Sequence, residues 1–149
     1  MAADCLHPGG QDFTAQLMQY AAVPKGSAVL DAGCGAGATV QWLGQQGFAA
    51  YGIDQQPGQV SEQICQGDIR QLPYRDGQFT AVLSECTAFI CGNTAAMLGE
   101  CCRVLQTDGW LLLADVYFDE EQALPKFDDK RPVTLAQCCW SNLILRLKK

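Results

Sequence analysis

Residues 29–37 read Val29-Leu30-Asp31-Ala32-Gly33-Cys34-Gly35-Ala36-Gly37: a short apolar run, an acid, and three glycines in a tight turn. Ala28 to Ala32 has the length and composition of a buried strand, and the glycine turn opens a helix to about Gln46. Val40 and Leu43 lie on the inner face of that helix, and Gly47 stops it. Toward the C-terminus, Ala49 to Ile53 is a second buried strand closed by Asp54, and Gln55-Gln56-Pro57-Gly58 turns the chain. Strand, helix, strand is a β-α-β unit. Only 13 residues separate Asp54 from Asp68, which predicts a short second crossover helix and a third strand of a few residues around Ile64.

The alternation continues. Leu72-Pro73-Tyr74-Arg75-Asp76-Gly77 is rich in turn residues and Phe79 to Ser84 is a fourth strand. Asn93 is placed to cap a helix running to about Leu105, with Met97, Leu98, Cys101, Val104 and Leu105 on one apolar face and Thr107-Asp108-Gly109 as its end. Trp110 to Val116 is unbroken apolar sequence, as in strands buried on both faces of a parallel sheet. Before the glycine turn, Phe13, Leu17, Met18 and Ala21 recur at helical spacing within Gly10 to Ala22. Past Val116 the pattern weakens: 118–132 is acidic and contains proline, Val133 to Trp140 reads as a helix and Leu143 to Leu147 as a last strand. The expected fold is α/β, a doubly wound and mostly parallel sheet whose C-terminal strands are incomplete. Residues 1–149 are expected to form one domain, with a core at about 10–117 and a short extension at 118–149.

Composition agrees with one domain. At 149 residues and 48% apolar content the chain can bury roughly 70% of its unfolded surface without disulfides or metals. Ten Lys and Arg against 16 Asp and Glu give a net charge of −6, the wrong sign for neutralising phosphates, and the one basic cluster is Arg146, Lys148 and Lys149. Neither a nucleic acid nor a membrane is an expected partner, since no apolar run approaches the ~18 to 20 residues of a span. The nine cysteines are odd in number, show no C-x-x-C spacing and follow no secretory leader pattern, so reduced thiols and a cytoplasmic location are expected.

Glycines in such a turn let a ligand lie against the backbone, because a Cβ would clash or forbid the dihedral angles. Gly33-x-Gly35-x-x-Ala38 also fits the nicotinamide-dinucleotide fingerprint, with Asp54 near the ribose-binding distance. Three acids favour S-adenosylmethionine instead. Asp31 lies two residues before the first glycine, where an ammonium needs a counter-charge and a pyrophosphate would be repelled. Asp54 can accept from two ribose hydroxyls, and Asp68, in Gly67-Asp68-Ile69, from an adenine amine.

With these motifs the chain resembles the class I, Rossmann-like S-adenosylmethionine-dependent methyltransferases over about residues 10–117. The resemblance rests on VLDAGCGAG at 29–37, YGID at 51–54, GDI at 67–69, LPYRDGQFTAVLS at 72–84 and CRVLQTDGWLLLADV at 102–116. The last two blocks look most like the small-molecule branch that includes ubiquinone/menaquinone and arsenite methyltransferases, and Pro8-Gly9-Gly10 resembles a cofactor-covering segment. The resemblance implies methyl transfer from S-adenosylmethionine to a small-molecule acceptor, leaving S-adenosylhomocysteine. It implies a cofactor-binding set of Asp31, Gly33, Cys34, Gly35, Asp54, Gln55, Asp68, Ile69 and Ser84, with Ser84-Glu85-Cys86 facing the methyl group. No catalytic residue and no metal site is singled out, because alignment of nucleophile, methyl and sulfur supplies much of such a rate.

Departures from the family pattern are the abbreviated second crossover, Thr80 where an acid is usual, and 32 residues after Tyr117 where the family completes a longer substrate-side end. The alternative is a non-catalytic S-adenosylmethionine-binding or assembly protein, with an exposed sheet edge for a homodimer. Cys86, Cys91, Cys138 and Cys139 could offer soft ligands to a thiophilic substrate, but core packing explains most of the cysteines better.

Overall fold

A computed structural model describes residues 9–117 and 139–146. The chain runs α1 (Gly10–Ala21), β1 (Ala28–Ala32), α2 (Ala38–Gln45), β2 (Ala49–Asp54), β3 (Ile64–Gln66), β4 (Phe79–Glu85), α3 (Thr94–Val104), β5 (Leu105–Tyr117) and β6 (Cys139–Arg146). One sheet holds all six strands in the order β3-β2-β1-β4-β5-β6. The first five are mutually parallel, and β6 joins β5 antiparallel. The doubly wound sheet expected from the sequence is therefore present. The order reverses between β1 and β4, and ligands of such sheets bind beyond the carboxyl ends of the strands at that switch point.

Alternation along the strands sorts the core onto two faces. Val29, Ala81, Leu83 and Leu112 pack with Leu17 and Met18 of α1 and Val40 and Leu43 of α2. Leu30, Ile53, Val82 and Leu111 pack with Met97, Cys101 and Val104 of α3 on the other face. The apolar periodicity of α3 is thus realised, and Asn93 caps it by accepting from the Ala96 N–H at 3.1 Å.

Three expectations are corrected. No helix crosses from β2 to β3: Pro57 and Gly58 interrupt a stretch too short to turn, and 55–63 is irregular. Beside it a cleft of about 1040 Å³ runs along Val40, Gln41 and Gly44 of α2 and Ala49 and Tyr51 of β2. Next, α3 stops at Val104, and Thr107-Asp108-Gly109 belongs to β5, where Asp108 takes φ 61 and the register with β4 shifts between Phe79 and Ala81. Phe79 pairs with Leu105 and Ala81 with Trp110, so β5 carries three residues more than β4 over this interval and bulges out of the ladder. Finally, Cys139 and Trp140 are in β6, not a helix, because pairing with Tyr117 and Val116 overrides their local pattern. The rest of the expected C-terminal helix lies outside the described residues.

The two blocks at 72–84 and 102–116 are joined by one side chain. Arg103 of α3 donates to both carboxylate oxygens of Glu100 at 2.7 Å, to the carbonyls of Tyr74 and Leu72 at 2.8 and 3.0 Å, and to Asp76 at 2.7 Å. Glu100 also accepts from the Leu72 N–H at 2.7 Å. The turn before β4 is fixed to α3 by charge-assisted bonds, which anchors the segment after β3. These bonds lower the Glu100 pKa and raise that of Arg103.

Candidate functional site

Gly33 and Cys34 donate their N–H groups to the Ile53 carbonyl at 2.8 and 3.0 Å, which seats the glycine turn across the end of β2. Gly35 has φ 50, and a Cβ built there would meet nothing within 4 Å, so the turn presents bare backbone to open space. Gly33 has φ 95, and a Cβ there would run into the Thr87 side chain. The loop after β4 closes directly on the glycine turn.

Asp54, at the end of β2, is held by backbone. Its Oδ2 accepts from the Gly35 N–H at 2.9 Å and its Oδ1 from the Gln56 N–H at 2.8 Å. Each oxygen keeps a lone pair, which suits a pair of vicinal hydroxyls. Gln55 lies exposed beside it, its carbonyl accepting from the Gln66 amide at 2.9 Å. Asp31 is buried in β1 at 3% exposure. Burial, helped by the negative fields of Asp31 and Asp54, pushes the Cys34 thiol up to about 12. That field opposes a thiolate and favours a cation.

Asp68 follows β3 and is bound by Arg70 through the backbone N–H at 2.8 Å and the guanidinium at 2.9, 3.1 and 2.6 Å. Those bonds hold its carboxyl down to about 2. Ile69 points the other way: it is buried in the α3-side core with Leu72 and Ile53. Its side chain is committed to packing, and only its backbone is available at the rim.

The switch point is occupied by the end of β4. Ser84 is 1% exposed, and its Oγ is the one buried side-chain oxygen or nitrogen among the described residues with no hydrogen-bond partner. A buried hydroxyl without a partner marks a place for a ligand or water. Glu85 is buried too and accepts from Thr14 of α1 at 2.9 and 3.2 Å. Cys86 takes φ 57, rare for a residue with a side chain, while its N–H donates to the Ala114 carbonyl at 2.7 Å. Asp115 of β5 accepts from the Phe89 N–H at 2.9 Å and steadies the same loop.

The structure thus brings Asp31, Gly33, Cys34, Gly35, Asp54 and Gln55 to one turn, Ser84 to the adjoining strand end, and Asp68 to the neighbouring turn. Sequence reasoning missed Thr14, Gln56, Arg70, Thr87 and Arg103. Arg103, inside the 102–116 block, and Arg70, directly after GDI at 67–69, carried a signal in their charge, whereas Thr14, Gln56 and Thr87 carried none. Cys34, Cys65, Cys86, Cys91, Cys101 and Cys102 form no disulfides, and Cys101 is pushed up to about 12, chiefly by burial. Among the described residues no group of three or more His, Cys, Asp or Glu is placed to hold a metal ion. Among them also, no helix is long and apolar enough to cross a membrane. Cys5, His7 and Cys138 lie outside the described residues.

A family model described as methyltransferase domain matches residues 30–113, more than half of the chain. The uncharacterized methyltransferase YodH of Bacillus subtilis (strain 168) is 30% identical over 118 residues, which cover 71% of this chain and 50% of YodH. A chain of the complex between the Haloferax volcanii Trm112 methyltransferase activator and a methyltransferase superposes with a TM-score of 0.63 at 23% identity, over 72% of this chain and 53% of that one. The MccD protein superposes at 0.65 and 23% identity, over 85% and 60%. The chain spans about half the length of the curated relative it matches. Glycine turn, strand-end acids, strand order and relatives agree, and the chain belongs to the class I, Rossmann-like S-adenosylmethionine-dependent methyltransferase family.

Proposed function

We propose that this chain, as a single domain, binds S-adenosylmethionine through Asp31, Gly33, Cys34, Gly35, Asp54, Gln55, Asp68, Ile69 and Ser84, and transfers its methyl group to a small-molecule acceptor. The observation that carries this reading is the Asp54 carboxylate, oriented by the Gly35 and Gln56 amides beside open glycine backbone. The cofactor supplies an electrophilic methyl on a sulfonium. Asp54 would take the ribose hydroxyls and Asp31 the ammonium charge. Asp68 and the Ile69 backbone would take the adenine, and the unpartnered Ser84 Oγ lies at the end of β4, next to β1. Two buried carboxylates, Asp31 and Glu85, on adjacent strands give the switch point a negative field suited to a sulfonium. The reduced cysteines fit a cytoplasmic setting.

A second reading is a non-catalytic S-adenosylmethionine-binding or assembly protein, working as a homodimer or with another subunit. It is favoured by the methyltransferase-activator complex in which the Haloferax neighbour was solved. Calorimetric titration of the reduced protein with S-adenosylhomocysteine, with NADH as control, tests both. Micromolar binding of the first alone is the expected result, and NADH binding alone would replace the cofactor. Turnover of any small acceptor then removes the second reading, and binding without turnover across thiols, amines and phenols selects it.

A further inference from the structure

Asp68 accepts four hydrogen bonds from Arg70 alone. Its Oδ1 accepts from the Arg70 N–H and Nε at 2.8 and 2.9 Å, and its Oδ2 from Nη2 and Nε at 2.6 and 3.1 Å. A carboxylate oxygen has about two lone pairs, so these donors fill both oxygens. The pair is also open to water, with side-chain exposures of 38% and 37%. An ion pair in that setting has small net worth and is easily exchanged. The Arg70 Nη1 lies 3.7 Å from where a Cβ on Gly92 would stand, so the guanidinium spans the gap between the turn after β3 and the loop after β4.

We infer that Arg70 competes with the adenine amine for Asp68 and so lowers cofactor affinity. The long Nε contact to Oδ2 is the one the amine displaces, and the remaining ion pair weakens the carboxylate as an acceptor by neutralising its charge. When adenine departs, the guanidinium closes again on Asp68, so the acid is not left bare and release costs less. This inference rests on the cofactor reading above. It adds a residue outside the binding set that sets how tightly the set holds.

The test is calorimetry with S-adenosylhomocysteine and with S-inosylhomocysteine, in which the adenine amine is replaced by a carbonyl oxygen that cannot donate. Arg70→Met is expected to bind S-adenosylhomocysteine several-fold tighter than wild type and to leave S-inosylhomocysteine unchanged. In the Asp68→Ala background, Arg70→Met should then have no effect, since the coupling runs through that carboxylate. Arg70→Gln, which keeps one donor group, should fall between, and it replaces Arg70→Met if the latter melts below wild type. No tightening, equal tightening for both ligands, or tightening that survives Asp68→Ala overturns the inference. If wild type binds S-adenosylhomocysteine and the variants fail these tests, only the role of Arg70 falls. If wild type does not bind it at all, the cofactor reading falls and takes this inference with it.

Discussion

Asp54 and Asp68 follow neighbouring parallel strands and face the same end of the sheet, yet they are held in opposite ways. Asp54 is fixed by two backbone amides, one of them from the glycine turn. Asp68 is fixed chiefly by one exposed side chain. Backbone donors move only if the turn moves, so they orient a carboxylate before any ligand arrives. A guanidinium on a flexible stem can swing away, at little cost in water. The β2 end of the rim is therefore built to be rigid and the β3 end to be negotiable.

The comparison breaks most directly at the rigid end. Gly33→Ala puts a Cβ at φ 95 and against Thr87, whose Cβ stands 2.9 Å away. Left-handed strain and overpacking together should cost about 2 to 4 kcal/mol of stability, read from urea unfolding, with loss of S-adenosylhomocysteine binding. Adding Thr87→Ala should recover the overpacking part and leave the backbone part. A single Gly33→Ala variant as stable as wild type would mean that the turn is not the rigid element described.

Asp54→Ala is the next largest effect. It removes the acceptor of two backbone N–H groups and the proposed ribose contacts, and should weaken S-adenosylhomocysteine binding by about 1.5 to 3 kcal/mol by calorimetry. Asp68→Ala should cost visibly less, because removing the acid also removes its competitor's hold. Equal losses at the two positions would erase the distinction between the two ends.

The rigid end was legible in the sequence and the negotiable end only in part. The glycine turn, Asp31 and Asp54 are local: spacing alone puts them at the end of one strand and the start of the next. The face of α3 and its Asn93 cap followed from periodicity and capping chemistry for the same reason. Contacts between distant segments did not follow. Thr14 meets Glu85 across 71 residues and Arg103 meets Leu72 across 31, pairings set by the packed sheet and written in no local pattern. The missing second crossover helix shows the limit from the other side: the stretch was seen to be short, but Pro57 and Gly58 were read as a turn before a helix when they leave room for none. The ending was misread at Cys139 and Trp140, where an antiparallel partner decides the conformation.

Alkylation gives a smaller and local readout. Burial and the fields of Asp31 and Asp54 hold the Cys34 thiol near 12, so at pH 8 it should resist iodoacetamide in the native protein and react once unfolded, as followed by peptide mass mapping. Asp31→Asn should ease that protection modestly. Native Cys34 reacting as fast as a free thiol would remove the negative field from the glycine turn.

The smallest effect belongs to the negotiable end and is read by pH. Arg70 holds the Asp68 carboxyl down to about 2, against an ordinary value of ~3.9. A depressed folded-state value stabilises the fold above the ordinary value, and the contribution is lost as pH falls from about 4 to about 2. Between pH 5 and 8 Asp68 therefore stays ionised, and neither stability nor cofactor affinity should vary on its account. Carboxyl carbon NMR of the selectively labelled protein should place its midpoint near 2, and Arg70→Met should return it toward 4. The pair is exposed and easily broken, so the movement should appear in the titration while the melting temperature barely changes. A wild-type midpoint already near 4 would mean that Arg70 does not hold Asp68 in solution, and the negotiable clamp that sets Asp68 apart from the backbone-held Asp54 would be gone.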